Sequence, residues 1–332
     1  MSGWDEVIGH KQIVDHLKKA IETGKVGHSY IFSGEKGSGK LMLANTFARA
    51  LQCTEETSRP CDVCANCRRA LDRNHPDIIY VMHKKPASIS VDEIREQLVE
   101  DVDIRPYSSQ YKVYIVQEAE KMTTQAQNAL LKTLEEPPEY VVILLLTSNE
   151  QYFLETIRSR CVLLSLKMVP DEQIKAYLME EIHIPDYEAG ICAAYAQGNV
   201  GKALRLASAE DFIRVKDSAM RLVKNISRME IPEIIDVVRE VQEFRVSVPD
   251  FLDLLALWYR DMIYFKATRD PSRVVFQDQL RSISETAKIC SYEGVEEILK
   301  ALETARERLA ANVNFDLTME LLFLLIKENM HD

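Results

Sequence analysis

The sequence predicts an α/β protein: a parallel sheet covered by helices on both faces, followed by a purely helical C-terminal half. Three observations carry this expectation. Apolar runs of strand length alternate with helix-period segments as far as about residue 167, the pattern of strand–helix–strand units in a sheet buried on both sides. A glycine-rich segment, Gly34-Glu35-Lys36-Gly37-Ser38-Gly39-Lys40, stands between the first such strand and its helix. Beyond Pro170 the strand signal fades and helical periodicity takes over.

The elements follow in order. Residues Gln12–Ile21 place Ile13, Leu17, Ala20 and Ile21 on one helical face. Ser29–Phe32 reads as a strand entering the tight turn at Ser33-Gly34, and Leu41–Leu51 as a helix. Ile78–Met82 is a second strand. Ser90 with Glu93 forms a capping box for a helix running through Glu100. Tyr111–Val116 is a buried strand. Thr124 with Gln127 suggests another capping box, on a helix that continues through Asn128–Leu134 until Pro137-Pro138 ends it. Tyr140–Thr147 is a fully buried strand and Leu163–Leu166 a shorter one. Residues 171–206 read as a small helical group broken at Gly198 and Gly201. Residues 210–330 are helical, with apolar stripes such as Phe251, Leu254, Leu255 and Trp258 that read as core.

The chain has 332 residues, 46% of them hydrophobic and 28% charged, a globular balance that fills two or three domains. Its formal charge of −11 argues against a free-standing nucleic-acid binder, which carries a basic excess. No apolar run reaches the length of a membrane span. The start Met1-Ser2-Gly3-Trp4-Asp5-Glu6 lacks the basic and apolar regions of a secretory signal, so a cytoplasmic location is expected.

Residues 34–40 have the spacing of a P-loop in its proper strand–turn–helix context. Glycines let backbone N–H groups face a phosphate, the helix N-terminus adds positive potential, and Lys40 adds a mobile charge. The hydroxyl residue that would ligate magnesium after the lysine is replaced by Leu41. The second metal element, an apolar strand ending in Asp-Glu, reads Tyr114-Ile115-Val116-Gln117-Glu118 here. Gln117 puts a neutral amide where a metal-holding aspartate belongs, and Glu118 stands where a water-activating base would be. Both changes strike the same ion, which neutralises charge between the β- and γ-phosphates. The expectation is little or no hydrolysis, with magnesium disfavoured and ATP or ADP binding left open.

Four of the seven cysteines, Cys53, Cys61, Cys64 and Cys67, fall within fifteen residues. Two C-x-x-C steps share Cys64, and the loop can return Cys53 as the fourth ligand. Four thiolates close the shell of a structural zinc and leave no open position for catalysis. An iron–sulfur cluster is the rival for these ligands.

Further motifs resemble those of bacterial DNA polymerase III clamp-loader subunits, a family of AAA+ ATPases. They are Asn128-Ala129-Leu130-Leu131-Lys132-Thr133-Leu134-Glu135-Glu136-Pro137-Pro138, the cysteine module between the P-loop helix and the next strand, and Ile157-Arg158-Ser159-Arg160-Cys161. Leu146-Thr147-Ser148-Asn149 resembles the first sensor, Gly198-Asn199-Val200-Gly201-Lys202-Ala203-Leu204 the second, and Asn312-Val313-Asn314 the end of the collar. The resemblance implies an AAA+ domain over 1–167 with the zinc module at 53–67, a helical lid over 168–208, and an oligomerising collar over 209–332. Cys53 and Cys61 stand one residue closer than is usual in the family.

Leu41 and Gln117 resemble the degenerate sites of delta prime subunits rather than the intact sites of gamma/tau motor subunits. The ending at Asp332 agrees, since tau-type chains continue. An ATP-hydrolysing gamma/tau-type motor is the alternative. The resemblance implies that Arg160 acts as an arginine finger on ATP held by an adjacent motor subunit. It implies gamma/tau and delta subunits as partners in a hetero-pentamer of the polymerase holoenzyme, with the sliding clamp and primer-template DNA met through the complex. Asn149 and Lys202 would be sensor-like, Val7, Ile8 and His28 would line an adenine pocket, and Ser88–Asp92 would be the segment nearest DNA. A P-loop kinase would need an acceptor pocket and a working magnesium site. A zinc-dependent nucleic-acid regulator is disfavoured by the acidic charge.

Overall fold

The computed structural model describes residues 3–55, 58–209, 212–244, 248–272 and 274–330. The chain forms two compact units, Met1–Leu204 and Arg205–Asp332. The helices expected to form a separate lid therefore group with the sheet as far as Leu204.

The first unit is built on five parallel strands: β1 Ser29–Ser33, β2 Ile78–Val81, β3 Lys112–Val116, β4 Val141–Thr147 and β5 Val162–Ser165. They lie in the order β2-β3-β4-β1-β5, and each expected strand is present to within one residue at either end. Every residue of β1, β3 and β4 is buried, which is why these runs are continuously apolar rather than alternating. The strand residues nevertheless divide by parity between two cores. Tyr30, Phe32, Val113, Ile115, Val142 and Leu144 pack on α1 (Lys11–Glu22) and α2 (Lys40–Gln52) through Val14, Leu17, Leu43, Phe47 and Leu51. Ile31, Tyr114, Val116, Ile143 and Leu145 face the other way, towards Ile94, Leu98, Leu130, Leu134 and Ile157. Edge strand β5 exposes Val162 and Leu163.

Helix α3 (Ala65–Leu71) belongs to the cysteine module, and α4 (Val91–Ile94) begins at the expected capping box. Ser90 Oγ accepts from the Glu93 N–H at 3.4 Å, and the Ser90 N–H donates to Glu93 Oε2 at 2.7 Å. The helix does not run on as α to Glu100; it widens to a π turn over Arg95–Val99. The second expected box is corrected. Helix α5 (Thr124–Glu135) is capped by Thr123, whose Oγ1 accepts from the Ala126 N–H at 3.2 Å. Gln127 is buried instead, and its amide donates to the carbonyls of Met122 and Tyr152.

Short helix α6 (Glu155–Arg158) follows β4, and α7 (Asp171–Glu181), α8 (Asp186–Ala196) and α9 (Val200–Ser208) complete this part. The second unit contains α10 (Phe212–Asn225), α11 (Ile231–Glu243), α12 (Val248–Thr268), α13 (Leu280–Ile289), α14 (Tyr292–Ala310) and α15 (Phe315–Glu328). Phe251, Leu254, Leu255 and Trp258 on α12 are all buried. Buried Asp261 accepts from the N–H groups of Val275 and Phe276 at 2.6 and 2.9 Å, so its charge has the partners that burial demands. Among the described residues no helix is long and apolar enough to cross a membrane.

Buried Asp77 organises the loop that leads into β3. Its carboxylate accepts from the N–H groups of Tyr107 and Ser108 at 2.5 and 2.8 Å and from the Ser109 hydroxyl at 2.8 Å. Burial works against its charge, but these donors outweigh it and hold the carboxyl below its usual range. A depressed folded-state pKa stabilises above the unfolded value, near 3.9, and that stability is lost as pH falls through the folded value. Asp77→Asn should therefore lower stability at pH 7 by about 1–3 kcal/mol. The difference from the parent, read from urea midpoints, should shrink towards pH 3.

Candidate functional site

The P-loop leaves β1 at the carboxyl edge of the sheet, where open α/β folds bind ligands. Register brings the other motifs to the same edge: Ser33 lies beside Thr147, and Val116 beside Leu145. Gln117, Ser148 and the P-loop thus meet because three parallel strands end at one level. They surround a cavity of about 460 Å³ lined by Lys36, Gly37, Gly39, Lys40, Leu41, Met42, Gln117, Glu118, Glu120, Leu146 and Ser148.

Gly37 and Gly39 adopt φ of 89° and 93°, left-handed values that glycine takes without strain. As the N-cap of α2, Gly39 supplies no side-chain cap, so the first amides of that helix lack the partner a Ser or Asp would give. Lys40 folds into its own loop: its ammonium donates to the carbonyls of Gly34 at 2.5 Å and Glu35 at 2.7 Å. Burial lowers its pKa, while Glu120 and Glu35 work in the opposite direction. Leu41 lines the cavity with an alkyl group at the magnesium position, and Gln117 lines it with an amide.

Glu118, expected at the position of a general base, has a left-handed backbone and is committed to ion pairs. Lys121 Nζ donates to Glu118 Oε2 at 2.7 Å, and His83 Nε2 lies 3.4 Å from the same oxygen. The hydrogen bond from Lys121 is the main cause of its lowered pKa. A carboxylate held in that way is a weaker base. The neighbouring Glu120, which the motif reading did not single out, enters the cavity, and its Oε1 accepts from Ser148 Oγ at 2.6 Å. Its place depends on β3 and β4 ending together, so no local pattern marks it.

The second sensor-like segment closes directly on the P-loop. Gly201 donates its N–H to Gly37 O at 2.8 Å, and Asn199 Nδ2 donates to Lys36 O at 2.8 Å. Asn199 Oδ1 also accepts from the Lys202 N–H at 3.0 Å. The structure thus brings the side chain of Asn199 and the backbone of Gly201 against the loop. Asn149 does not line the cavity. Its side chain accepts from the Gln151 N–H at 2.9 Å and caps the next turn, leaving the cavity wall to Ser148. Val7, Ile8 and His28 are likewise absent from that wall. Val7 packs on the core, and His28 Nδ1 lies 3.4 Å from Val141 O.

The four cysteines converge. One sulfur from each of Cys53, Cys61, Cys64 and Cys67 lies within 4.8 Å of all the others, close to the roughly 3.8 Å between sulfurs that share a tetrahedral zinc. The shortened Cys53–Cys61 spacing does not prevent this. The N–H groups of Cys61, Cys64 and Cys67 point at Cys53, Cys61 and Cys64 Sγ respectively, each at 3.4 Å. Burial opposes ionisation of Cys64, but N–H donation from Thr54 and Cys67 outweighs it and brings the thiol down to about 6. The donor set fits a structural metal. Arg49 pairs with Asp62 at 2.8 Å and with Glu6 at 3.3 Å, while Trp4 Nε1 donates to Arg59 O at 2.7 Å, fastening the module to the N-terminal turn.

Arg160 follows α6 at the protein surface. Its guanidinium donates to Thr156 O at 2.8 Å and pairs with Glu135 Oε1 at 2.8 Å. Its backbone carbonyl accepts from buried Ser29 Oγ at 2.8 Å, which ties this turn to the start of β1.

A parallel sheet in the order β2-β3-β4-β1-β5, with a P-loop after β1 and a helical segment closing on it, defines an AAA+-type nucleotide-binding fold carrying a cysteine module. The chain belongs to the DNA polymerase III delta subunit family: the model described as "DNA polymerase III, delta subunit" matches residues 9–170, and the one for the C-terminal part matches residues 220–328. It is 30% identical over 321 residues to DNA polymerase III subunit delta' of Bacillus subtilis, covering 96% of both chains. The tau/gamma subunit of Haemophilus influenzae is 35% identical over 207 residues, but that match covers 60% of this chain and 30% of the other. The full-length likeness therefore favours delta' over the motor subunits. A DNA polymerase III gamma subunit-related protein from Thermotoga maritima shares the fold, with a TM-score of 0.53 and 22% identity over 96% of this chain and 99% of that one.

The contact between Gly201 and the P-loop leaves no space for a side chain. A Cβ on Gly201 would lie 2.7 Å from Gly37 O and 2.8 Å from Gly37 Cα, whereas one on Gly190 would meet nothing nearer than Lys175 Cε at 3.8 Å. Gly201→Ala should destabilise the first unit by about 1–3 kcal/mol. Gly190→Ala, inside α8, should stabilise it by about 0.4–1 kcal/mol. Urea unfolding followed by far-ultraviolet circular dichroism compares the two.

Proposed function

We propose that this chain works as a delta'-type subunit of a DNA polymerase III clamp loader. Its own cleft does not turn over ATP, and Arg160 serves ATP bound by an adjacent gamma/tau-type subunit. The observation that carries the reading is the pairing of Leu41 and Gln117 on one cavity wall. A triphosphate there would meet an alkyl group and an amide where magnesium needs oxygen ligands, so its developing charge would go unneutralised. Glu118, at the base position, is weakened by its pairing with Lys121.

Arg160 suits work outside its own cleft. The ion pair with Glu135 is half exposed, with 35% and 50% of the side-chain surfaces accessible. Such pairs contribute about 0–1 kcal/mol, so the guanidinium can exchange Glu135 for a more highly charged phosphate. An arginine donated to a neighbouring site stabilises charge on the transferring phosphoryl group. The gamma/tau and delta partners, the sliding clamp and primer-template DNA belong to this reading, and so does a zinc held by Cys53, Cys61, Cys64 and Cys67. That zinc would cross-link the module without taking part in chemistry.

In a complex reconstituted with an intact motor subunit, Arg160→Ala should cut ATP hydrolysis by about 10³-fold or more, the range of arginine fingers, while assembly by gel filtration is retained. The isolated chain should release no phosphate from Mg·ATP. Undiminished turnover in the mutant complex would overturn the role of Arg160. Metal analysis should find one zinc per chain. Cys67→Ser should lose it and open residues 53–71 to proteolysis, and iron with visible absorbance would instead assign a cluster.

A further inference from the structure

Glu120 is the charged group in the cleft that neither hydrolysis nor the finger role explains. Its Oε1 is held by Ser148 Oγ at 2.6 Å. Its Oε2 is shielded from solvent and has no hydrogen-bond partner. A buried carboxylate oxygen without a partner is costly, unless surrounding positive potential compensates. The same cavity provides that potential. Its wall includes Lys40 and the uncapped N-terminus of α2, the two features that attract phosphate in a working P-loop.

We propose that Glu120 is a built-in anion of this cleft, a carboxylate that takes the electrostatic place of a nucleotide phosphate and excludes nucleoside di- and triphosphates. Leu41 and Gln117 remove the magnesium that could screen the two anions from each other, so a polyphosphate and Glu120 compete for Lys40 and the N-terminus of α2. Meanwhile Lys40 and the loop carbonyls are satisfied from within: Lys40 by Gly34 and Glu35, Gly37 O by Gly201, and Lys36 O by Asn199. The segment that closes on the P-loop therefore stays in place without a ligand. The inference rests on the reading that this cleft does not turn over ATP, and it adds why the cleft would also stay empty.

The test is equilibrium binding of fluorescent ADP and ATP to the full chain, in EDTA and in magnesium, for the parent and for Glu120→Gln. The amide keeps the size of the side chain and can still bond to Ser148. Affinity should rise at least tenfold, about 1.4 kcal/mol, in EDTA as well as in magnesium. Adding Lys40→Ala should abolish the gain, which places the ligand on the P-loop. Raising salt should narrow the gap between parent and variant as charge is screened. Unchanged affinity, or binding detectable in neither protein, overturns the proposal. Binding that weakens only in magnesium also overturns it, because Glu120 would then be a cation ligand standing in for the aspartate missing at Gln117. Should Glu120→Gln melt early, Glu120→Ala under the same measurements decides. Binding and hydrolysis are read separately, so failure here leaves the Arg160 reading standing, and the reverse holds too.

Discussion

Lys40 gives its ammonium to the carbonyls of Gly34 and Glu35, and Gly201 gives its amide to the carbonyl of Gly37. These contacts hold the P-loop with the protein's own atoms, and the arrangement around the cleft follows from them. The loop enters α2 through the left-handed glycines Gly37 and Gly39. The chain from Gly198 to Lys202 is brought down on it, because Gly201 approaches too closely for any other residue.

Once the loop is self-sufficient, the residues that would run chemistry are free to differ. Leu41 adds apolar surface to the core around α2. Gln117 is neutral, and Glu118 is tied to Lys121 and His83. Arg160 keeps a weakly held charge at the surface. Its turn is fixed to the sheet through Ser29, while the guanidinium rests on an exposed carboxylate that can be exchanged. A rigid base and a loosely paired head suit a group that acts beyond its own subunit.

The cysteine module is joined to the same frame through further contacts. Asn66 donates to Gln52 O at 3.0 Å at the end of α2, and Arg49 reaches both Asp62 and Glu6. A metal there would stiffen a loop that has few apolar side chains to bury, in keeping with the way small modules compensate for lack of core.

Strands β1, β3 and β4, the P-loop, the cysteine cluster and the Ser90 box were legible in the residues alone, because each rests on local spacing: apolar runs, glycine turns, C-x-x-C steps, a cap three residues from its partner. The cap at Thr123, the π turn after Ile94, Ser148 rather than Asn149 on the cavity wall, and the place of Glu120 were not. The directions of Gln127 and Glu120 depend on distant segments: Tyr152 draws in Gln127, and β3 ending level with β4 sets Glu120 against Ser148. Short-range sterics and hydrogen bonding act within a few residues and can be read from the chain. Burial and charge pairing act through space, between segments that meet only when the sheet is assembled.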